Sequence, residues 1–203
     1  MAFQSIWYFT ELPQKIIDII EYDVKQFDKN FKDSILMGDV IDKEKRNSKN
    51  TWIPTTHWLS GFLWHYIQKA NRENFLYDLT NIDGESVQYT QYSEGEYYKW
   101  HTDADISSCY HPQNTAEINR TQDFVNQNGE FMRKLSFVLQ ISNPDDYEGG
   151  NLQIMTDSGD SYIAPRQRGT IILFDSRSRH RVQKVTSGVR KSIVGWVLGP
   201  RWK

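Results

Sequence analysis

The sequence predicts a mainly β protein, a sandwich or jelly roll behind N-terminal helices, in a single domain of 203 residues. Three observations predict it. Up to residue 84 the clearest apolar pattern is helical. From residue 85 onward, short apolar runs follow one another, separated by turn residues. A chain of this length also buries one core without metal or disulfide staples. The expected organisation is helical support over 1–84 and a jelly-roll core over 85–203.

Residues 12–27 form the first expected helix. Ile16, Ile17, Ile19, Ile20, Val24 and Phe27 make an apolar stripe, with Lys15, Asp18, Glu21 and Lys25 largely off it. Pro13 stands near its start, where a missing N–H costs little. Residues 42–50 are polar and read as a solvated loop. A second helix is expected over 58–74 through Leu59, Phe62, Leu63, Tyr66 and Ile67, weakened slightly by Gly61. Strands are expected at 87–92, 97–101, 135–141, 152–155, 171–174, 180–185 and 193–198. Asn143-Pro144-Asp145, Gly149-Gly150, Ser158-Gly159 and Ser187-Gly188 supply the turns. Residues 104–130 are polar and aperiodic, long enough to be a functional cover or plain disorder.

Composition narrows the function. A formal charge of −2 gives no field to draw the chain to nucleic acid or an anionic membrane. Cys109 is the single cysteine, so no internal disulfide forms and a reducing cytoplasm fits. No apolar run approaches the ~20 residues that span a bilayer. The first residues show no basic stretch followed by a long apolar core, so no signal peptide is expected. Most of the 7 Trp and 11 Tyr are read as core filling.

The chemistry begins at His101 and Asp103. Two apart on an extended chain, they can point to the same side, although such a pair alone is ordinarily a surface feature. His180 changes the odds. Two histidines and one carboxylate, with no cysteine ligand, make the facial set of a non-haem Fe(II) oxygenase, and a jelly roll makes distant strands neighbours. Ten positions later, Arg190 shares a strand face with Ser192, Val194 and Trp196. A guanidinium and a hydroxyl beside a metal form a receptor for a carboxylate.

The run from Tyr92 through Tyr98 to His101 and Asp103 resembles the first-ligand motif of prolyl 4-hydroxylases. So do the run from Arg133 to Ser142, Glu148-Gly149-Gly150, and the run from Pro165 to Phe174. His180-Arg181-Val182 and the run from Gly188 to Trp196 complete the pattern. The resemblance covers nearly all of 87–203 and is strongest to the small bacterial and phage PKHD-type hydroxylases. Asn47, Ser48, Trp52 and Trp58 match that group more loosely.

This resemblance implies a double-stranded β-helix, the jelly-roll core, with His101, Asp103 and His180 as iron ligands. It implies Arg190 on the distal carboxylate of 2-oxoglutarate, where collagen-type enzymes usually carry Lys. Tyr92 would reach the same carboxylate, with Ser192 as helper. Tyr98 and Trp196 would lie near the reacting substrate. Strict alternation sets Tyr98 opposite His101, so its role requires a bend in the strand. The implied cofactors are Fe(II), 2-oxoglutarate and O2, with ascorbate as a candidate reductant. The implied reaction is hydroxylation of a prolyl residue in a peptide or protein, with release of succinate and CO2.

Other readings stay open. A free amino acid or other small molecule is an alternative substrate. Oxidative dealkylation of nucleic-acid bases is disfavoured, because a second Arg six positions after the first is replaced by Trp196. A binding module with a vestigial site is disfavoured by the joint presence of the three ligands, Arg190 and Tyr92. His57, His65 and His111 lack ligand partners at useful spacing, and Gly149-Gly150 precedes no helix that would cradle phosphate. Oligomeric state and the position hydroxylated are not written in these patterns.

Overall fold

A computed structural model describes residues 6–36, 41–54, 56–104, 131–156 and 158–202. The expected lid at 104–130, apart from Ala104, lies outside them, as do Cys109 and His111.

Two sheets form the core. The larger runs β1 (Ile6–Phe9), β11 (Ile171–Asp175), β7 (Phe131–Gln140), β13 (Val185–Pro200), β5 (Val87–Ser93), β4 (Lys49–Ile53) and β2 (Lys32–Asp33), with β8 (Tyr147–Gly149) paired to β13. The smaller runs β10 (Ser161–Ile163), β9 (Leu152–Met155), β12 (His180–Val182), β6 (Tyr97–His101) and β3 (Arg46–Asn47). Every strand pair is antiparallel.

The expected strands are all present, most of them longer than their apolar runs. Residues 180–185 divide between β12 and β13. The short strands β1, β2, β3, β4, β8 and β10 are additions to the sequence reading. They carry too few residues for a period of two to show, and pairing with long neighbours stabilises them instead. Residues 42–50 are a correction, because β3 and the start of β4 replace the expected solvated loop, and Arg46 and Ser48 are buried.

The large sheet is covered on both faces, which explains why β11 opens as an unbroken apolar run and why β7 and the second half of β13 are mostly apolar without strict alternation. On one face Leu135, Phe137, Leu139, Ile171, Leu173, Ile193 and Val197 meet helices α1 (Gln14–Lys25) and α2 (Leu59–Ala70). Helix α1 presents Ile17, Ile20 and Val24, all at 0% exposure, each contributing about 1.5–3 kcal/mol by burial. Pro13 caps it with extended backbone, and α2 closes in a single wider turn over Asn71–Phe75.

Alternation sends the intervening residues to the other face. There Val138, Ile172 and Phe174 pack on Leu152 and Ile154 of the small sheet. Ser136, Arg190, Ser192 and Trp196 share that period and line the space between the sheets, and Gln140 accepts a hydrogen bond from Arg190.

The Gly149-Gly150 turn has a steric cause. Both residues have φ near +60° to +70°, and a Cβ at Gly149 would sit 2.2 Å from the Lys184 carbonyl oxygen. A Cβ at Gly150 would sit 3.1 Å from Cδ of Arg190. Left-handed backbone costs a side-chain-bearing residue about 1–3 kcal/mol before any overlap is counted. Gly149→Ala is therefore expected to lower the melting temperature by at least about 2–4 °C per kcal/mol lost. An unchanged melting temperature would contradict the placement of this turn.

Candidate active site

The site forms where β6 and β12 run side by side. His101 at the end of β6 and His180 at the start of β12 are direct cross-strand partners, with ring centroids 4.1 Å apart. Asp103 lies just past β6. Its backbone N–H donates to the Ser176 carbonyl at 2.9 Å, which brings its carboxylate back between the two rings. The Asp103 oxygens stand 3.6 Å from Nε2 of His101 and 3.2 Å from Nε2 of His180. One ligand atom from each of the three residues falls within 4.8 Å of the others.

The tautomers follow from hydrogen bonding. Nδ1 of His101 lies 2.8 Å from the Lys99 carbonyl, and Nδ1 of His180 lies 3.0 Å from the Ser178 carbonyl. A carbonyl only accepts, so both Nδ1 atoms donate and both Nε2 atoms turn toward Asp103. That arrangement orients imidazoles for a metal. Ser136 adds a further support, donating to Asp103 at 2.7 Å while its hydroxyl lies 2.9 Å from that of Ser176. Sequence patterns gave no sign of Ser136 or Ser176, because serine in an apolar strand has no distinguishing spacing.

Charge in the metal-free site is uneven. Burial, then repulsion from His180, pushes the His101 imidazole down to about 3. Burial alone would lower His180, but the charge and hydrogen bond of Asp103 outweigh it and raise the imidazole above its ordinary value. Burial alone would raise the Asp103 carboxyl, yet His180, then His101 and Arg133, hold it well below the usual carboxylate range. His180 therefore holds its proton to higher pH than His101 does. Binding a divalent ion displaces that one proton, because metal ligation needs neutral imidazole. Apparent Mn(II) affinity is expected to fall by about one decade per pH unit below the raised His180 value and to level off above it. A two-decade slope in a titration from about pH 5 to 8 would contradict this charge assignment.

Tyr98 and His101 both face the cleft, which simple alternation forbids. A bulge resolves this: Tyr98 pairs with Val182 and His101 with His180, so three steps on β6 match two on β12. The Tyr98 ring stacks on His101 at 3.5 Å, and burial raises its phenol above the ordinary range. Trp196 is half-buried, with the Arg133 guanidinium 4.0 Å over its ring and Trp52 at 6.2 Å.

Deeper in the same cleft lies Arg190, 1% exposed. It donates to Gln140 at 2.9 Å and weakly to Ser192 at 3.4 Å, and its Nε has no partner among the described residues. Tyr92 is its cross-strand partner, with the guanidinium 5.6 Å over the ring. No carboxylate of the described residues pairs with Arg190. A buried guanidinium held only by neutral oxygens suits an anionic ligand. The donor set of two imidazoles and one carboxylate likewise suits a divalent first-row metal with open positions.

All the sequence-predicted residues — His101, Asp103, His180, Arg190, Ser192, Tyr92, Tyr98 and Trp196 — line this one cleft. Arg46 joins them without having been singled out, and Gln140 supports Arg190 through its side-chain oxygen. His57 instead accepts from the Leu59 N–H at the start of α2, and His65 packs edge-on against Tyr66. Among the described residues no helix is long and apolar enough to cross a membrane.

Comparison with known proteins bears on this arrangement. Residues 87–198 match the model of the 2OG-Fe(II) oxygenase superfamily. A PKHD-type hydroxylase of Parvibaculum lavamentivorans is 41% identical over 63 residues, 31% of this chain and 28% of that protein. The chain spans less than half the length of the first curated relatives it matches. A Pseudomonas putida prolyl-4-hydroxylase superposes with a TM-score of 0.67 at 15% identity, covering 98% of this chain and 94% of that one. A prolyl hydroxylase in complex with a hypoxia inducible factor oxygen degradation domain peptide fragment from Trichoplax adhaerens gives 0.73 at 16%, covering 96% and 84%. At such identities the structural likeness speaks to the fold, a jelly roll.

Proposed function

The chain belongs to the 2OG-Fe(II) oxygenase superfamily, and on that premise we propose that it is a dioxygenase hydroxylating prolyl residues in a peptide or protein, with release of succinate and CO2. Membership implies Fe(II), 2-oxoglutarate and O2 as the reacting set. The observation that carries the reading is the pairing of two features in one cleft. A convergent His101–Asp103–His180 cluster stands beside a buried guanidinium that pairs with no carboxylate of the described residues.

In this reading the three clustered residues hold Fe(II), which when bound supplies the oxidative decarboxylation of 2-oxoglutarate and the oxidant for the substrate. The chain's own residues do the rest. Lys99 and Ser178 carbonyls keep both Nε2 lone pairs directed at the ion, and Ser136 holds the Asp103 carboxylate in place. Arg190 anchors the distal carboxylate of 2-oxoglutarate, assisted by Ser192 and Tyr92, and Gln140 fixes the guanidinium. Phe174 and Val194 exclude water from the inner wall, which strengthens these polar contacts. Tyr98 and Trp196 flank the reacting group, a setting that suits a pyrrolidine ring in an extended chain. Structural neighbours named as prolyl hydroxylases support a prolyl substrate.

The test uses purified protein with Fe(II), 2-oxoglutarate, O2 and proline-containing peptides, following succinate and peptide mass together. Succinate matched by peptide gain of one oxygen is the expected result. Succinate without peptide modification would contradict the prolyl substrate while leaving the oxygenase reading in place. Ascorbate is expected to prolong turnover as a reductant, and its omission in a parallel series checks that.

A further inference from the structure

The cleft buries a second guanidinium. Arg46, on β3, is 7% exposed and lines the cleft beside Tyr98. Its Nε donates to Ser48 at 2.9 Å, its Nη2 donates to Gln88 at 2.8 Å, and its Cζ lies 4.9 Å from the centroid of the Tyr98 ring. Every one of these partners is neutral. The neighbouring Arg133 differs, pairing with Asp83 at 2.7 Å. Among the described residues no carboxylate pairs with Arg46.

A guanidinium carries five N–H donors. The two bonds to Ser48 and Gln88 leave three, all on Nη1 and Nη2, the end-on edge that matches the two oxygens of a carboxylate. Position separates this group from the co-substrate's receptor. Arg190 belongs to β13, central in the large sheet, whereas Arg46 belongs to β3, the edge strand of the small one. Arg46 reaches the metal cluster through the Tyr98 ring, which stacks on His101. Trp52, 49% exposed, extends the Trp196 surface along the neighbouring strand β4.

We propose that Arg46 receives a carboxylate of the substrate, so that the group oxidised beside Tyr98 belongs to an acid. This rests on the oxygenase reading above and sharpens its substrate class. The carboxylate belongs either to a peptide, as an acidic side chain or C-terminus close to the reacting residue, or to a free amino acid. One guanidinium matches one such monoanion. Trp196 and Trp52 cover the apolar part of the same molecule.

Matched acid and amide pairs test it. The pairs are peptides with Glu or Gln beside proline, the same peptide as free acid or C-terminal amide, and L-proline against L-prolinamide. Wild-type protein is expected to prefer acids on the order of tenfold or more in kcat/KM, as a charge-assisted hydrogen bond gives. Arg46→Gln is expected to erase the preference by raising KM for the acids more than for the matched amides. Arg46→Lys should keep part of the preference, which separates charge from folding. Preference confined to peptides or to L-proline identifies the source of the carboxylate.

Equal losses for acid and amide would reduce Arg46 to a structural group and overturn the proposal. So would a rise in 2-oxoglutarate half-saturation alone. Calorimetry with protein loaded with Mn(II) and 2-oxoglutarate covers the case of no turnover. Acid-over-amide binding there, lost in Arg46→Gln, sustains the proposal while the prolyl reading fails. No acid preference in binding or turnover overturns it.

Discussion

His180→Ala is expected to abolish 2-oxoglutarate-dependent turnover and to weaken divalent-metal binding by more than the about 10–100-fold that loss of an outer-shell partner costs. Two of the three clustered groups remain, but they no longer define one face of an ion. The substitution also leaves Asp103 without its nearest counter-charge, 3.2 Å away. In the metal-free protein that carboxyl, now held mainly by His101, Arg133 and Ser136, is expected to titrate closer to its ordinary range. The variant's fold should survive, because β12 keeps its backbone pairing with β6 and β9. Metal titration, succinate formation and a thermal melt on the same preparation separate these effects. Wild-type metal affinity in a folded His180→Ala protein would contradict the proposed ligand.

Arg190→Met is expected to split ligand binding from stability in opposite directions. Truncating one partner of a buried charge pair costs about 2–5 kcal/mol of binding. That is roughly thirtyfold or more in the half-saturation of 2-oxoglutarate. The ligand-free protein should nonetheless be as stable as wild type or more so. Its guanidinium is 1% exposed with an unpartnered Nε, and an apolar chain of similar length removes that desolvation penalty. Thermal melts with and without 2-oxoglutarate read both at once. The wild type should rise with ligand, and the variant should start level or higher and stay flat. A variant that melts far lower without ligand would show Arg190 to be a structural member of the core.

Much of this architecture was legible in the residues. The period change after Gly84 marks where strands dominate, because two-sided burial of β7, β11 and β13 leaves long, mostly apolar runs between glycine-containing turns. The histidines and Asp103 carried their own signal, since two imidazoles and one carboxylate form a donor set that suits a divalent first-row metal. What stayed hidden has a common cause: it depends on neighbours distant in sequence. Arg46 reads as part of a charged loop until Ser48, Gln88 and the Tyr98 ring surround it. Ser136 and Gln140 read as polar interruptions in a strand until alternation turns them inward toward Asp103 and Arg190. The bulge that lets Tyr98 share a face with His101 is set by a register shift against β12, which no local pattern records. The strands before residue 54 exist because longer partners complete them.

Metal and co-substrate binding in the cleft can be read together in one anaerobic titration. Fe(II) is added to purified protein, then 2-oxoglutarate, and the visible charge-transfer absorption of a 2-oxo acid chelated to Fe(II) is followed. One Fe(II) per chain is expected, with an absorption that saturates with 2-oxoglutarate, is absent in His180→Ala, and shifts to far higher 2-oxoglutarate in Arg190→Met. Absorption of wild-type strength in His180→Ala, or none in the wild type at saturating metal, would contradict binding in this cleft.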